Sequence, residues 1–250
     1  SWSDYGVAGI KIDFFDGQNA TNPKHQGEDS DNIEWYEHIY QETARRKMVV
    51  NCHGSNKPTG ERRVYPNVIN REAIYGNEFT TVGSSYTVNS MFVREVVGPS
   101  DFTPVVNPLS NQLTMAHQMA LAILYESGQP NMADFSTTYD NALIRDFYKN
   151  IPSLRDETVF LEGELDYYYV AAVKSGDSWF VAGINSVVDQ SVTIDFSFLG
   201  EGNYQAEIFV NNATNRKSVD KTTKTITSSS TETISMTEDG GFVIRLTPTK

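Results

Sequence analysis

Between residues 6 and 150 the chain alternates short apolar runs with segments of helical period, and past Ile151 that alternation stops. "VAGIKIDFF" and "MVVNCHG" are brief, partly β-branched and almost continuously apolar, as a strand buried on both faces reads. "NVINREAI" is a weaker third run of the same kind. Between the first two lies a helix over residues 32–47, with Ile33, Tyr36, Tyr40 and Ala44 as its apolar stripe. Asp31 can cap it, and Glu34 three residues on completes a capping-box pattern. "NQLTMAHQMALAILYES" is the clearest helix, with Leu113, His117, Ala120, Leu121 and Leu124 on one face and Gly128 ending it. "FVREVVG" fits strand and helix alike, "PNMAD" reads as a short strand, and "DNALIRDFYKN" as a last helix. Strands that alternate with helices pair in parallel, because a parallel connection needs a crossover.

Each of these strands runs into polar groups: Asp13 and Asp16, then Asn51 and His53, then Glu72 and Glu78. In a (β/α)8 TIM barrel the residues that close the strands form the active-site face. A complete barrel takes at least ~200 residues, and only about four or five β/α units are present here. Residues 1–152 are therefore expected to be the later strands of a partial barrel. Residues 153–250 have another texture: "YYYVAAV", "SWFVAGI", "SVTIDFSF", "YQAEIFV", "ETISM" and "FVIRL" are short and partly alternating. Gly, Asn, Asp and Ser separate them, which is the pattern of an antiparallel β-sandwich. The Thr-, Ser- and Lys-rich stretch from Lys217 to Thr233 reads as exposed strands and turns, and Pro152 marks the boundary.

Charge and composition narrow the partners. A net charge of −12 repels phosphate backbones and anionic lipid, so neither nucleic acid nor a membrane surface is expected as a partner. No apolar run reaches the length of a membrane span. The single cysteine, Cys52, excludes a scaffold stapled by internal disulfides. The opening "SWSDYGVAGIKIDFF", without methionine or lead-in, reads as part of a longer protein. No phosphate-cradling glycine loop, GxSxG elbow, HExxH or CxxC occurs, and His117 within an apolar stripe reads as core.

Four stretches carry candidate chemistry. Lys11 and Asp13 share a side-chain direction, since strand residues alternate faces. An ammonium beside a carboxylate favours its ionised form, and an ionised, oriented carboxylate is what a glycoside nucleophile requires. The plainer alternative is an Asp that caps a helix or ties a loop. In "NREAIYGNE", Glu72 and Glu78 stand around Gly76, either as two solvated acids or as a general acid/base and a metal ligand. A hard cation such as calcium takes oxygen ligands of that kind. His53 follows a buried strand and either faces a pocket or is a satisfied core histidine. Asp101, in "GPSDFTP", reads as a turn former in preference to a ligand for a sugar hydroxyl.

Taken in order, "GIKIDFFD", "NCHGSNKPTGERRVYPN", "REAIYGNE" and "VVGPSDFTP" resemble glycoside hydrolase family 97, a family of α-glucosidases and α-galactosidases. The resemblance covers about residues 6–150. It implies an N-terminal β-super-sandwich, a (β/α)8 barrel and a C-terminal β-domain, with the first of these absent here and so a missing partner of the same protein. It implies calcium (Ca2+) dependence, with Glu72 and Glu78 as metal-ligand candidates. It also implies a periplasmic or secreted bacterial protein. Inverting members carry a glutamate base directly after the histidine matched by His53; this chain has Gly54 there. Retaining members carry an aspartate nucleophile at the end of the "KxD" strand, matched by Asp13, and Glu78 matches their general acid/base. Lys11 and His53 stand beside them as substrate-binding residues. The implied activity is a retaining exo-α-glycosidase, foremost an α-galactosidase acting on an oligosaccharide or α-galactoside, with the two carboxyls ~5–5.5 Å apart. The alternatives are an inverting α-glucosidase with a base from another loop, such as Glu61, and a non-catalytic carbohydrate-binding fragment.

Overall fold

The structure, a computed structural model, describes residues 2–13, 29–79, 82–104 and 113–249. Asp16 lies outside the described residues. The chain divides into two compact units. The first comprises Ser1–Gly76, Arg94–Phe102 and Glu126–Asn131; the second comprises Asn77–Val93, Thr103–Tyr125 and Met132–Lys250.

In the first unit, strands β1 (Gly9–Ile12), β2 (Val49–Cys52) and β3 (Val68–Arg71) form a parallel sheet in that order, with helix α1 (Ser30–Arg45) between the first two. Lys11 pairs with Asn51 and Ile12 with Cys52. A register shift after Val50 then sets Asn51 opposite Asn70 and Cys52 opposite Arg71. Alternation gives the sheet two faces. Val50, Cys52 and Val68 pack with Ile10 and Ile12 against Tyr36, Ile39 and Tyr40 of α1. Lys11, Asn51 and Asn70 belong to the other, polar face. The strand β1 is only half-buried and Lys11 is exposed, so the fully buried strand that its apolar content predicts is open on this edge of the described sheet.

Helix α1 starts earlier than the capping-box pattern predicts. Its N-cap is Asp29, extended and without a side-chain cap bond, which puts Asp31 inside the first turn. There its charge favours the helix through the macrodipole. Arg71 is buried on the α1 side of the sheet. Its guanidinium lies 5.3 Å and 5.6 Å from the ring centroids of Tyr36 and Tyr40, and its Nε is 2.9 Å from Glu61 Oε1.

The second unit carries helices α2 (Ser84–Val93), α3 (Met115–Leu124) and α4 (Ala142–Tyr148), then eight strands. These are β4 (Glu157–Glu164), β5 (Tyr168–Ser175), β6 (Ser178–Asn185), β7 (Gln190–Asp195), β8 (Tyr204–Asn211), β9 (Val219–Ile226), β10 (Thr231–Met236) and β11 (Gly241–Pro248). Six of them form one antiparallel sheet in the order β4-β5-β6-β11-β8-β9, and β10 pairs with β7 in a smaller one. Val192, Ile194, Ile234 and Met236 of the small sheet share one apolar core with Val170, Val181, Ile208, Phe242 and Leu246 of the large one. This is the sandwich that the alternating pattern predicts. Helix α3 lies against β6 and β11.

Every residue of α3 from Met115 to Leu124 is buried, so its expected one-sided stripe gives way to burial all round. The helix stops at Leu124, where Tyr125 turns extended, short of Gly128. "PNMAD" forms no strand, and "FVREVVG" is divided between the end of α2 and a 3-10 turn, Glu95–Val97. The sequence boundary near Pro152 falls between α4 and β4, while compactness groups α2, α3 and α4 with the sheets. The described residues hold three parallel strands and not a closed barrel.

Candidate active site

The parallel ladder of the first unit continues one residue beyond each strand. His53 N donates to Ile12 O at 2.7 Å, Glu72 N to Cys52 O at 2.7 Å, and Asp101 N to Arg71 O at 3.3 Å. Arg71 also bridges Ser100 in parallel. Asp13, His53, Glu72 and Asp101 are thus the first residues past four successive parallel segments. A sheet end of this kind collects titratable side chains where the strands no longer need apolar cover.

His53 is 2% exposed. Its Nε2 lies 2.7 Å from Asp101 Oδ2 and its Nδ1 lies 3.4 Å from Glu72 Oε1. Burial opposes the imidazolium, but hydrogen bonding to Asp101 and Glu72 outweighs it, and the His53 pKa is pushed up to about 9. Asp101 is wholly buried and accepts from Asn51 Nδ2 at 2.7 Å, from Asn131 N at 3.0 Å and from the Asn131 side chain. Burial works against its charge, yet the donors His53, Asn131 and Asn51 hold the carboxyl below the usual range. The turn role that the sequence favours for Asp101 is therefore corrected: it is a buried acceptor at the centre of a hydrogen-bond network.

Glu72 is buried and engaged from two sides, since Gly54 N donates to its Oε2 at 2.6 Å and His53 faces its Oε1. Gly54 has φ +53°, a left-handed conformation that favours glycine. Lys11 and the half-buried Asp13 border one cavity of about 620 Å³ together with Ile12, His38 and Ile39. Glu61 is tied to Arg71, and its Oε2 accepts from Thr59 N at 2.7 Å.

Glu78 lies in the second unit, half-buried in a turn, and accepts at Oε2 from the Thr103 hydroxyl. The preceding Asn77 is fully buried and donates from Nδ2 to Gln118 Oε1 of α3 at 2.6 Å. Sequence reasoning singles out Asp13, His53, Glu72 and Glu78 by their places after strands and in the glutamate pair, and of these the structure brings His53 and Glu72 into contact. It misses the Asp101 partnership, Asn77, Gln118 and Thr103. Only Asp101 had a usable signal, its place at the end of a further parallel segment.

Among the described residues no group of three or more His, Cys, Asp or Glu side chains is arranged to hold a metal ion. Glu72 offers hard oxygens, but both already face donors. The described residues do not by themselves fit a calcium site.

Two family models match the chain: "Glycoside hydrolase 97" over residues 1–74 and "Glycosyl-hydrolase 97 C-terminal, oligomerisation" over residues 155–247. A retaining α-galactosidase of Bacteroides thetaiotaomicron is 30% identical over 232 residues, covering 83% of this chain and 33% of the relative. A probable retaining α-galactosidase of Streptomyces bingchenggensis is 29% identical over 242 residues, covering 95% and 36%. The chain thus spans about a third of the length of these curated relatives. A glycoside hydrolase family 97 enzyme from a Pseudoalteromonas species, solved with acarbose, matches with a TM-score of 0.91 at 23% identity, covering 100% of this chain and 43% of that one. At that identity the likeness speaks to the fold alone.

Proposed function

The chain belongs to glycoside hydrolase family 97, and from that membership we propose that the whole protein is a retaining exo-α-glycosidase, foremost an α-galactosidase. The observation that carries the retaining assignment is the backbone at Gly54. The position where an inverting member would hold its base has no carboxylate, a left-handed φ of +53°, and an N–H committed to Glu72. Glu61, the substitute named for that base, is tied to Arg71 on the α1 side of the sheet, and the carboxylates that do reach His53 are engaged, Glu72 by Gly54 N and Asp101 by Asn51 and Asn131. Asp13, directly after β1, stands where the nucleophile is expected.

In this proposal Asp13 attacks the anomeric carbon while Glu78 protonates the leaving oxygen, giving a glycosyl-enzyme. Glu78 then takes a proton from water, which displaces Asp13 and releases the sugar with its configuration retained. Lys11 and His53 serve substrate binding, the substrate being an oligosaccharide or α-galactoside. The first unit supplies late strands of a (β/α)8 barrel, and the rest of the barrel and an N-terminal domain belong to the whole protein. A calcium ion in the whole protein would take Glu72 and Glu78 only together with ligands from elsewhere in that protein, and no step above is routed through it. A periplasmic or secreted location rests on the resemblance only.

The test is hydrolysis of an aryl α-galactoside by the whole protein, followed by proton NMR for the first anomer formed. α-Galactose first supports the assignment. β-Galactose first means inversion and removes Asp13 from its role. No turnover of any α-glycoside, in a folded and calcium-supplied protein, favours a non-catalytic carbohydrate-binding function.

A further inference from the structure

Thr103 combines two features that seldom occur together. It is a β-branched residue at φ +54° and it directly precedes Pro104. The left-handed region crowds a β-branched side chain, and the following proline restricts the same residue further. Neither feature serves a turn glycine could not make. What the conformation does achieve is local: Thr103 is 4% exposed, and its hydroxyl donates to Glu78 Oε2. Asn77 holds the adjacent backbone through Gln118 of α3 at 2.6 Å. Strained residues persist where the surroundings over-determine them, and an outlier aimed at a carboxylate points to that carboxylate.

We infer that Thr103 is a positioning residue for Glu78, orienting its carboxyl through both half-reactions. The inference rests on the assignment of Glu78 as acid/base. The chemistry suits a fixed hydroxyl donor. Oε2 accepts whether Glu78 is the carboxylic acid or the carboxylate, so Thr103 keeps one role in both steps. The proton that moves to the leaving oxygen, and later comes from water, is then carried on Oε1. Without the donor the carboxyl loses the bond that fixes Oε2, and proton transfer loses alignment.

The experiment compares the whole protein with E78Q, T103V, T103S and T103G, using methyl and 2,4-dinitrophenyl α-galactosides. Dinitrophenolate leaves without a proton; methanol does not. If Glu78 is the acid, E78Q lowers kcat/KM far more on the methyl glycoside than on the activated one. T103V and T103G should then show the same selectivity at ~10–100-fold, below the 10²–10⁴ that general acid catalysis supplies. T103S should stay within about threefold of wild type, because it keeps the donor. T103G also separates positioning from folding: relief of the strain at φ +54° offsets part of the lost buried side chain, so its melting temperature should fall less than that of T103V while its activity falls as far. Equal losses on both substrates, or no loss in T103V, with E78Q still selective, overturn the role of Thr103 alone. An unselective E78Q overturns the assignment of Glu78, and that of Thr103 with it.

Discussion

His53 Nε2 and Asp101 Oδ2 are 2.7 Å apart with both side chains buried, and they join segments that lie 48 residues apart in sequence. The same carboxylate takes Asn51 from β2 and Asn131 from a third segment. All of its partners donate, so the site requires an acceptor with no hydrogen of its own. Asp101→Asn keeps the shape and turns one oxygen into a donor facing donors. The expected cost is about 2–4 kcal/mol of stability, as for a buried charge partner left unpaired. Guanidinium unfolding of the whole protein measures it, and a midpoint unchanged from wild type would show that Asp101 does not hold these segments together.

Arg71 makes a second buried constellation, on the opposite face of the sheet. Its Nε is 2.9 Å from Glu61, its Nη1 donates to Asn56 O at 3.1 Å, and two tyrosine rings of α1 cover it. Arg71→Met should destabilise by about 3–5 kcal/mol, because Glu61 is left with a poorly compensated charge. Adding Glu61→Gln should recover part of that loss. A double variant as unstable as the sum of the singles would mean that the two residues do not couple.

How much of this was legible in the sequence follows from what each signal depends on. The strands β1 and β2 and the helices α1, α3 and α4 announce themselves through local apolar pattern, and the alternating strands of the sandwich do the same. Helix α2 does not: "SSYTVNS" is rich in residues that compete with the helix for hydrogen bonds, and packing in the second unit decides its state. The strand β4, "ETVFLEGE", mixes acids into an exposed edge and carries no alternation strong enough to notice. Strand-end position marked Asp13, His53 and Glu72. Asp101 sat in a Pro- and Ser-containing stretch whose local chemistry says turn, while its partners Asn51 and Asn131 come from distant segments. Thr103 before Pro104 reads as extended chain, and nothing local reports a positive φ.

The register of the large sheet sets Gly183 of β6 opposite Phe242 of β11, and a Cβ on Gly183 would clash with the edge of the Phe242 ring. Phe242 is completely buried, so the ring has little room to withdraw. Gly183→Ala should therefore cost about 1–3 kcal/mol through overpacking. Phe242→Leu should cost stability alone and yet restore part of it in the Gly183→Ala background. Strictly additive losses in thermal or guanidinium unfolding would show that Gly183 is not there to admit the ring.

His117 supplies a pH dependence. It is fully buried in α3, and its Nδ1 is 3.0 Å from the Gly240 carbonyl. A carbonyl only accepts, so Nδ1 carries the proton and the neutral Nε2 faces the Thr87 hydroxyl at 2.9 Å. Burial drives the pKa down to about 4, only partly offset by the Gly240 and Asp239 contacts. The folded value lies below the unfolded one near ~6.5. Stability is thus fully present above about pH 6.5 and is lost as pH falls through that value toward about 4. The loss should not exceed about 3 kcal/mol. Unfolding at pH 7 and pH 5 should show it. His117→Asn should be less stable at pH 7 but have a shallower slope between the two. An unchanged slope would assign the acid sensitivity to other groups.

Asp13→Ala tests the proposed nucleophile directly, and it does so independently of Thr103. Removing the carboxylate should lower kcat by several orders of magnitude, since no glycosyl-enzyme can form. It also opens space beside the anomeric carbon for a small anion. Azide entering there attacks from the face that Asp13 occupied, while Glu78 still protonates the leaving oxygen. Only one displacement then occurs, so the product from an α-galactoside is the β-galactosyl azide. Rescue should be strong with an aryl leaving group and should vanish in the Asp13→Ala, Glu78→Gln double variant on the methyl glycoside. Asp13→Asn, which keeps the shape and blocks entry, should show little rescue. Turnover in Asp13→Ala close to wild type, or an α-configured azide product, would take the nucleophile's role away from Asp13.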